Sequence, residues 1–282
     1  MWDAAQYLRY DDERARPFTD LIARVGATAP ARVVDLGCGP GNLTALLAAR
    51  WPGAQVSGVD NSPEMIEAAR SAISGPAFEL GDVRDWRPSA APDVITCNAV
   101  LQWVPDHGDL VVSWADLLPP DGWLAFQLPG NVRSPSHELV AELAASPRWR
   151  ALLADAEYNR QAGDPGDYVR LLARPGFEVD AWETTYQHIL PGGANGVPPR
   201  TPRGVPDGKA SISGTQSDHP VLEWMKGTTL RPVLTVLDEE QAADFVTEYA
   251  ERLRTAYPAQ AFGTVFPFRR VFTVVHRSLT PR

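Results

Sequence analysis

The chain has 282 residues, 44% of them hydrophobic and 22% charged, which suits a folded globular protein with one sizeable core and a subdomain or two smaller domains. A formal charge of −9 excludes the broad basic surface that a phosphate backbone demands, so nucleic acid is not the expected partner. No apolar run approaches the ~18 residues of a membrane span, and the first residues lack the basic and apolar segments of a secretory signal. Cys38 and Cys97 have no C-x-x-C spacing, and the five histidines form no ligand cluster. That pattern speaks against a disulfide scaffold and against a metal site, and it fits a reducing cytoplasm.

An aromatic arm, residues 2–10, precedes an amphipathic helix over 11–26 that gathers Phe18, Leu21, Ile22 and Val25 on one face. From 31 onward strands and helices alternate: strand 32–36, helix 42–51, strand 55–60, helix 63–72, strands 77–81 and 93–98, helix 108–118 and strand 123–128. Pro63 after Ser62 suits a first helical position. Short, near-continuous apolar strands in alternation with helices predict an α/β fold. The sheet should be Rossmann-like and mostly parallel, covered by helices on both faces. Ligands of such a sheet sit outside the carboxyl ends of its strands.

Beyond 130 the alternation loosens. Helices are expected at 136–145, 148–154, 166–174, 219–227 and 238–256, and late strands at 176–188 and 268–277. The expected organisation is an arm and helix (1–30), an α/β core (31–130), and a C-terminal part (131–282) in which helical lid insertions precede the strands that complete the sheet. Residues 191–217, dense in Pro, Gly and Ser without apolar periodicity, read as a flexible loop.

The run Val33-Val-Asp-Leu-Gly-Cys-Gly-Pro-Gly-Asn42 is an apolar strand that ends in an acid, breaks into alternating glycines and opens a helix. Glycines at 37, 39 and 41 let the backbone turn sharply beside a ligand, with the amides at the helix start expected to point at it. Asp60 ends the second strand, about 20 residues on, where an acid binds a ribose diol. Asp82 follows the third strand and can accept from an exocyclic adenine amine. A pyrophosphate would be repelled by Asp35, whereas a ligand with an ammonium group would be held by it. A cationic end, a ribose and an adenine together describe S-adenosylmethionine.

These motifs resemble those of class I methyltransferases. With Asn98-Ala-Val-Leu-Gln-Trp103-Val-Pro-Asp-His107, Trp182-Glu-Thr-Thr-Tyr186, Leu230-Arg-Pro232 and Phe266-Pro267, the chain is similar to the trans-aconitate 2-methyltransferase family over nearly its whole length. The resemblance implies methyl transfer from S-adenosylmethionine to a carboxylate of trans-aconitate, a small polycarboxylate. An unperturbed carboxylate, with a pKa near ~4, is already ionised at pH 7, so no general base is expected. Cofactor contacts are expected from Asp35, Gly37, Cys38, Gly39, Asn42, Asp60, Asn61, Met65, Asp82, Val83, Asn98 and Ala99. Substrate contacts are expected from Tyr7, Tyr10, Arg14, Gln102, Trp103, His188, Arg231 and Arg270, with arginine chosen for its bidentate grip on carboxylates. Two alternatives remain at this stage: a methyltransferase for another small or carrier-bound carboxylate, and a non-catalytic S-adenosylmethionine-binding regulator.

Overall fold

The computed structural model describes residues 11–156, 162–191 and 219–278, the first four of these without their side chains. The aromatic arm with Tyr7 and Tyr10, and nearly all of the expected loop at 191–217, lie outside the described residues. The elements are α1 (Asp11–Ile22), β1 (Arg32–Leu36), α2 (Asn42–Arg50), β2 (Gln55–Asp60), α3 (Pro63–Ala72), β3 (Ala77–Leu80), β4 (Val94–Asn98), α4 (His107–Leu117) and β5 (Trp123–Pro129). They continue as α5 (Pro135–Ala144), α6 (Pro165–Leu172), β6 (Phe177–Leu190), α7 (Pro220–Lys226), α8 (Leu230–Val236), α9 (Glu239–Ala256) and β7 (Thr264–Arg277).

The seven strands form one sheet of order β3-β2-β1-β4-β5-β7-β6. Strands β1 to β5 are parallel, and β7 returns antiparallel to β5, pairing Trp123 with His276 and Pro129 with Arg270. The order reverses between β1 and β4, so the carboxyl ends of these two strands flank the crevice of a doubly wound sheet. All five residues of β4 are buried, as a central strand covered on both faces requires. Val34, Leu36, Ile95, Cys97, Leu124 and Phe126 build the core there together with Trp114 of α4 and Tyr168 of α6.

Two compact units divide the chain. The first comprises described residues 11–130, 162–184 and 269–278, and the second 131–156, 185–191 and 219–268. In the second unit α5 packs on α9 around polar bonds that join main chain to side chain. Tyr249 Oη donates to the Ser136 carbonyl at 2.7 Å, and the Ser136 N–H donates to Tyr257 Oη at 3.0 Å. Among the described residues no helix is long and apolar enough to cross a membrane, and no group of three or more His, Cys, Asp or Glu is placed to hold a metal ion.

Several local expectations need correction. Residues 148–154 form successive turns rather than a helix. There Trp149 packs edge-on against Phe245, and Arg148 pairs with Asp244 and Glu248, so contacts with α9 override the local helical pattern. Helix α8 was not anticipated. Its Pro232 sits in the first turn, where an N–H has no intrahelical acceptor to lose. Helix α1 stops at Ile22 because the following turn tightens, with the Arg24 and Val25 N–H groups bonding three residues back. The late strands run longer than expected.

Gly58 on β2 shows how tightly the glycine turn is packed. A Cβ at this position would lie 2.8 Å from both Cβ and Sγ of Cys38. Gly58→Ala is therefore expected to lower stability by about 1–3 kcal/mol through overpacking. Gly53, whose added Cβ would meet nothing within 4 Å, is the control; Gly53→Ala should stay within about 0.5 kcal/mol of the parent. Urea denaturation of both variants checks this.

Candidate functional site

The glycine turn is fastened to the end of β2. Gly37 and Cys38 both donate their N–H groups to the Val59 carbonyl, at 2.7 and 3.0 Å, and Gly39 donates to Asp60 Oδ2 at 2.9 Å. Gly37 and Gly39 have φ of +77° and +55°, the left-handed region that glycine enters without penalty. Space also excludes a side chain at 37, where an added Cβ would lie 2.1 Å from a Val100 methyl carbon. Gly39 instead faces open space. The turn thus forms a backbone nest on the end of β2, with two of its N–H groups on the Val59 carbonyl and one on the Asp60 carboxylate. Three consecutive N–H groups of the turn itself are spent on β2.

Asp60 keeps what a diol needs. Its Oδ2 accepts from Gly39, and its Oδ1 accepts from the Ser62 N–H at 2.9 Å. Each carboxylate oxygen carries two lone-pair sites, so one on each remains for a hydroxyl. Beside it, Ser62 caps α3 by accepting from the Met65 N–H at 3.3 Å, and the Met65 side chain is buried.

Asp35 is a different kind of acid. It is 2% exposed, and its oxygens accept from Thr44 Oγ1 at 2.7 Å and Thr96 Oγ1 at 3.0 Å. Burial pushes its carboxyl up to about 6, against the lowering effect of the two hydroxyls. A carboxylate enclosed in this way does not offer a direct grip on an ammonium group, so that expectation gives way to an internal role bridging β1, α2 and β4. Asp82 is also more engaged than expected. Oδ1 accepts from both the main-chain N–H and Nε of Arg84 at 2.9 Å, Oδ2 accepts from Nη2 at 2.7 Å, and Asn61 adds a further bond. These bonds hold its carboxyl down at about 2. An adenine amine can reach this carboxylate only by displacing a donor, and the exposed Arg84 guanidinium is the one free to move.

At the end of β4, Ala99 has φ of +56°, uncommon for a residue with a Cβ. Its N–H donates to the Gln127 carbonyl at 2.9 Å, and its carbonyl accepts from Gln102 Nε2 at 2.7 Å. Val100, Gln102 and Trp103 follow, Val100 lying against Gly37. Cys38 and Val83 are buried in the packing around the strand ends, and Asn42 opens α2 after Gly41, whose φ is +83°. Both cysteines are free. The expected cofactor residues therefore gather at the carboxyl ends of β1 to β4. Direct bonds join Gly39 to Asp60 and Asn61 to Asp82.

The expected substrate residues do not form one described group. Arg270 is buried on β7 opposite Pro129, at the carboxyl end of β5 in the first unit. Arg231 lies on α8 in the second unit. His188, also in the second unit, is buried and stacked against Trp224 with ring centroids 5.3 Å apart, which reads as packing rather than a ligand contact. Arg14 lies on α1 without a described side chain. Thr44, Thr96, Arg84 and Gln127 were not anticipated. The available signal was a lone polar residue in an apolar strand, as at Thr96 in Val94-Ile-Thr-Cys-Asn98 and Gln127 in Trp123-Leu-Ala-Phe-Gln-Leu-Pro129.

A sheet of this order, with a glycine turn after β1 and an acid ending β2, is the class I methyltransferase fold. The model of a methyltransferase domain matches residues 7–181. Solved structures similar in fold include the YcgJ protein of Bacillus subtilis (TM-score 0.55, 17% identity, 94% of this chain and 99% of that one). A second is a methyltransferase-like protein of Bacillus halodurans (TM-score 0.53, 13% identity, 93% and 99%). Curated relatives are far closer in sequence. The trans-aconitate 2-methyltransferase of Streptomyces avermitilis is 49% identical over 98% of this chain and 97% of its own. Those of Rhodococcus jostii and Mycobacterium tuberculosis are 46% and 43% identical, each over 97% of this chain and, respectively, 98% and 96% of their own. The chain belongs to the trans-aconitate 2-methyltransferase family.

The raised Asp35 carboxyl has a measurable consequence. The folded state holds this proton more tightly than the unfolded chain does, so the stability it contributes is complete below pH 4 and is lost as pH rises through 6. Asp35→Asn removes this dependence. The stability difference between parent and variant should favour the parent more at pH 4 than at pH 7, by about 3 kcal/mol for a shift of this size. Urea denaturation of both proteins at pH 4, 5, 6 and 7 measures it, because the other titrating groups cancel in the difference.

Proposed function

We propose that this chain is an S-adenosylmethionine-dependent carboxyl O-methyltransferase that converts trans-aconitate into its monomethyl ester. The observation that carries the reading is Asp60, an acid at the end of β2 that supports the glycine turn and still has one acceptor site on each oxygen. Full-length identity to curated trans-aconitate 2-methyltransferases supports the choice of substrate.

Bound S-adenosylmethionine supplies a methyl group on a sulfonium, open to direct attack by an oxyanion. Asp60 would hold the ribose diol, the Asn61–Asp82 pair would border the adenine, and the open face of Gly39 would admit the ligand. No residue need remove a proton, since a trans-aconitate carboxylate is ionised at pH 7. The work left to the chain is orientation and exclusion of water, effects that together reach about 7–11 kcal/mol in well-oriented systems. Arg270, buried at the end of β5, supplies positive charge for a substrate carboxylate, where a guanidinium gives two parallel bonds. Gln102 and Trp103, which follow the end of β4, are read as neighbours of the acceptor. The cytoplasm is the compartment this reading favours, since it would keep Cys38 and Cys97 reduced.

Methyl transfer from labelled S-adenosylmethionine across a panel of di- and tricarboxylates tests the reading, with trans-aconitate expected to have the highest kcat/KM. Binding of S-adenosylhomocysteine without turnover of any acid would favour a regulator instead. Asp60→Ala should weaken S-adenosylhomocysteine binding at least tenfold in calorimetry, from loss of hydrogen bonds to a charged group worth about 1.5–3 kcal/mol each. Arg270→Ala should lower kcat/KM for trans-aconitate by about 30-fold or more, the lower end of ~2–5 kcal/mol for breaking a desolvated charge pair. The same change should leave S-adenosylhomocysteine affinity within threefold.

A further inference from the structure

Gln127 is a polar side chain in the apolar interior of the sheet. It lies on β5 between Phe126 and Leu128 and is 1% exposed. Its Nε2 donates to Asn98 Oδ1 at 2.5 Å, while its own Oε1 has no hydrogen-bond partner. A buried carboxamide with an unsatisfied acceptor is poorer packing than an aliphatic residue of the same size. Core packing therefore does not account for it.

Its contact fixes the orientation of Asn98. Oδ1 is turned toward Gln127, so the amide nitrogen of Asn98 faces the other way, with no acceptor among the described residues. Turning both amides over would bury an unsatisfied N–H of Gln127 in place of an unsatisfied carbonyl, the rarer and poorer arrangement. The backbone beyond Asn98 is held just as firmly. Ala99 is bonded on one side to the Gln127 carbonyl and on the other to Gln102 Nε2, and Val100 abuts Gly37 of the glycine turn. Asn98 therefore presents a fixed donor at the carboxyl end of β4, beside the turn.

We infer that Gln127 is a positioning residue that locks the carboxamide of Asn98, expected from the sequence among the cofactor contacts, with its NH2 turned instead toward the methyl acceptor, so that the site selects an oxyanion over an amine nucleophile. The inference rests on the carboxyl O-methyltransferase reading and deepens it. A carboxylate only accepts hydrogen bonds, and Asn98 Nδ2 donates one to it. An amine that attacks through its lone pair is left with N–H groups that need an acceptor, and the only oxygen of Asn98 is turned away from it, toward Gln127.

Gln127→Met keeps the length of the side chain and removes the donor. Gln127→Glu, when ionised, has no hydrogen to donate and can only accept, which turns Asn98 over; when protonated it donates through its O–H, which restores the parental orientation. The full-length variants are compared with the parent by kcat and KM for trans-aconitate, by S-adenosylhomocysteine calorimetry and by thermal melting. Gln127→Met is expected to raise KM at least tenfold with kcat within threefold and S-adenosylhomocysteine affinity within threefold. Relative to the parent at each pH, the KM of Gln127→Glu should fall at least fivefold between pH 8.5 and pH 6, while that of Gln127→Met stays constant. Unchanged KM in Gln127→Met, a Gln127→Glu KM that rises as pH falls, or cofactor affinity that falls in step with KM would each overturn the inference. Absence of turnover by the parent would overturn both readings; parental turnover with unaltered variants overturns only this one.

Discussion

The site depends on three consecutive backbone N–H groups, those of Gly37, Cys38 and Gly39, converging on the end of β2. Two reach the Val59 carbonyl and the third reaches Asp60. Convergence of this kind needs left-handed backbone at alternating positions, and glycine is the residue that reaches it without strain. Once the turn is fixed, the start of α2 and the positions of Thr44 and Val100 follow. Thr44 then meets Asp35, and Val100 closes on Gly37, which brings the end of β4 beside the turn. The crevice at the reversal of strand order is thus set by main-chain bonding before any ligand is considered.

Buried polar side chains carry the next level of organisation. Asp35 is shared between hydroxyls from α2 and β4, and Asn98 is tied to β5 through Gln127. Each joins neighbouring elements at the strand ends rather than in mid-sheet. In the low dielectric of the core these bonds are strong, and leaving one unmade is expensive. They hold the parallel strands in register where a ligand would be bound. The second unit shows the same economy in Ser136, whose carbonyl and N–H meet Tyr249 and Tyr257, and in His137, where burial holds the imidazole down at about 4 among Ser134, Ser136 and Thr229 hydroxyls.

Much of the first unit was legible in the sequence because its information is local. Apolar runs of five to seven residues, glycines at alternate positions and Pro63 after Ser62 each report a short-range conformational requirement, and the elements fall where these signals put them. Asp60 was legible for the same reason, being tied to its strand end. What the sequence did not disclose was pairing at a distance. Thr96 lies 61 residues from Asp35, and Gln127 lies 29 from Asn98. Each appears in the sequence only as one polar letter in an apolar strand. The turns at 148–154 escaped for a related reason: Trp149, Leu152 and Leu153 have helical spacing, but the packing of Trp149 on Phe245 decides the backbone. Arg84 shows a further limit, since a guanidinium two residues from Asp82 gives no hint in sequence that it will fold back onto that carboxylate.

The double bonding of Asp60 changes what this acid signifies in a sequence. Because one lone pair of Oδ2 completes the nest of the glycine turn and one of Oδ1 receives the Ser62 N–H, selection for a stable fold alone would retain it. A descendant of this chain that had ceased to transfer methyl groups would still need an acid at this position to keep its first turn closed. An intact glycine-turn and acid pair is therefore a marker of architecture as well as of a site for a diol. Loss of activity in such a lineage would be recorded first at positions whose side chains the fold can spare, the exposed Arg84 among them.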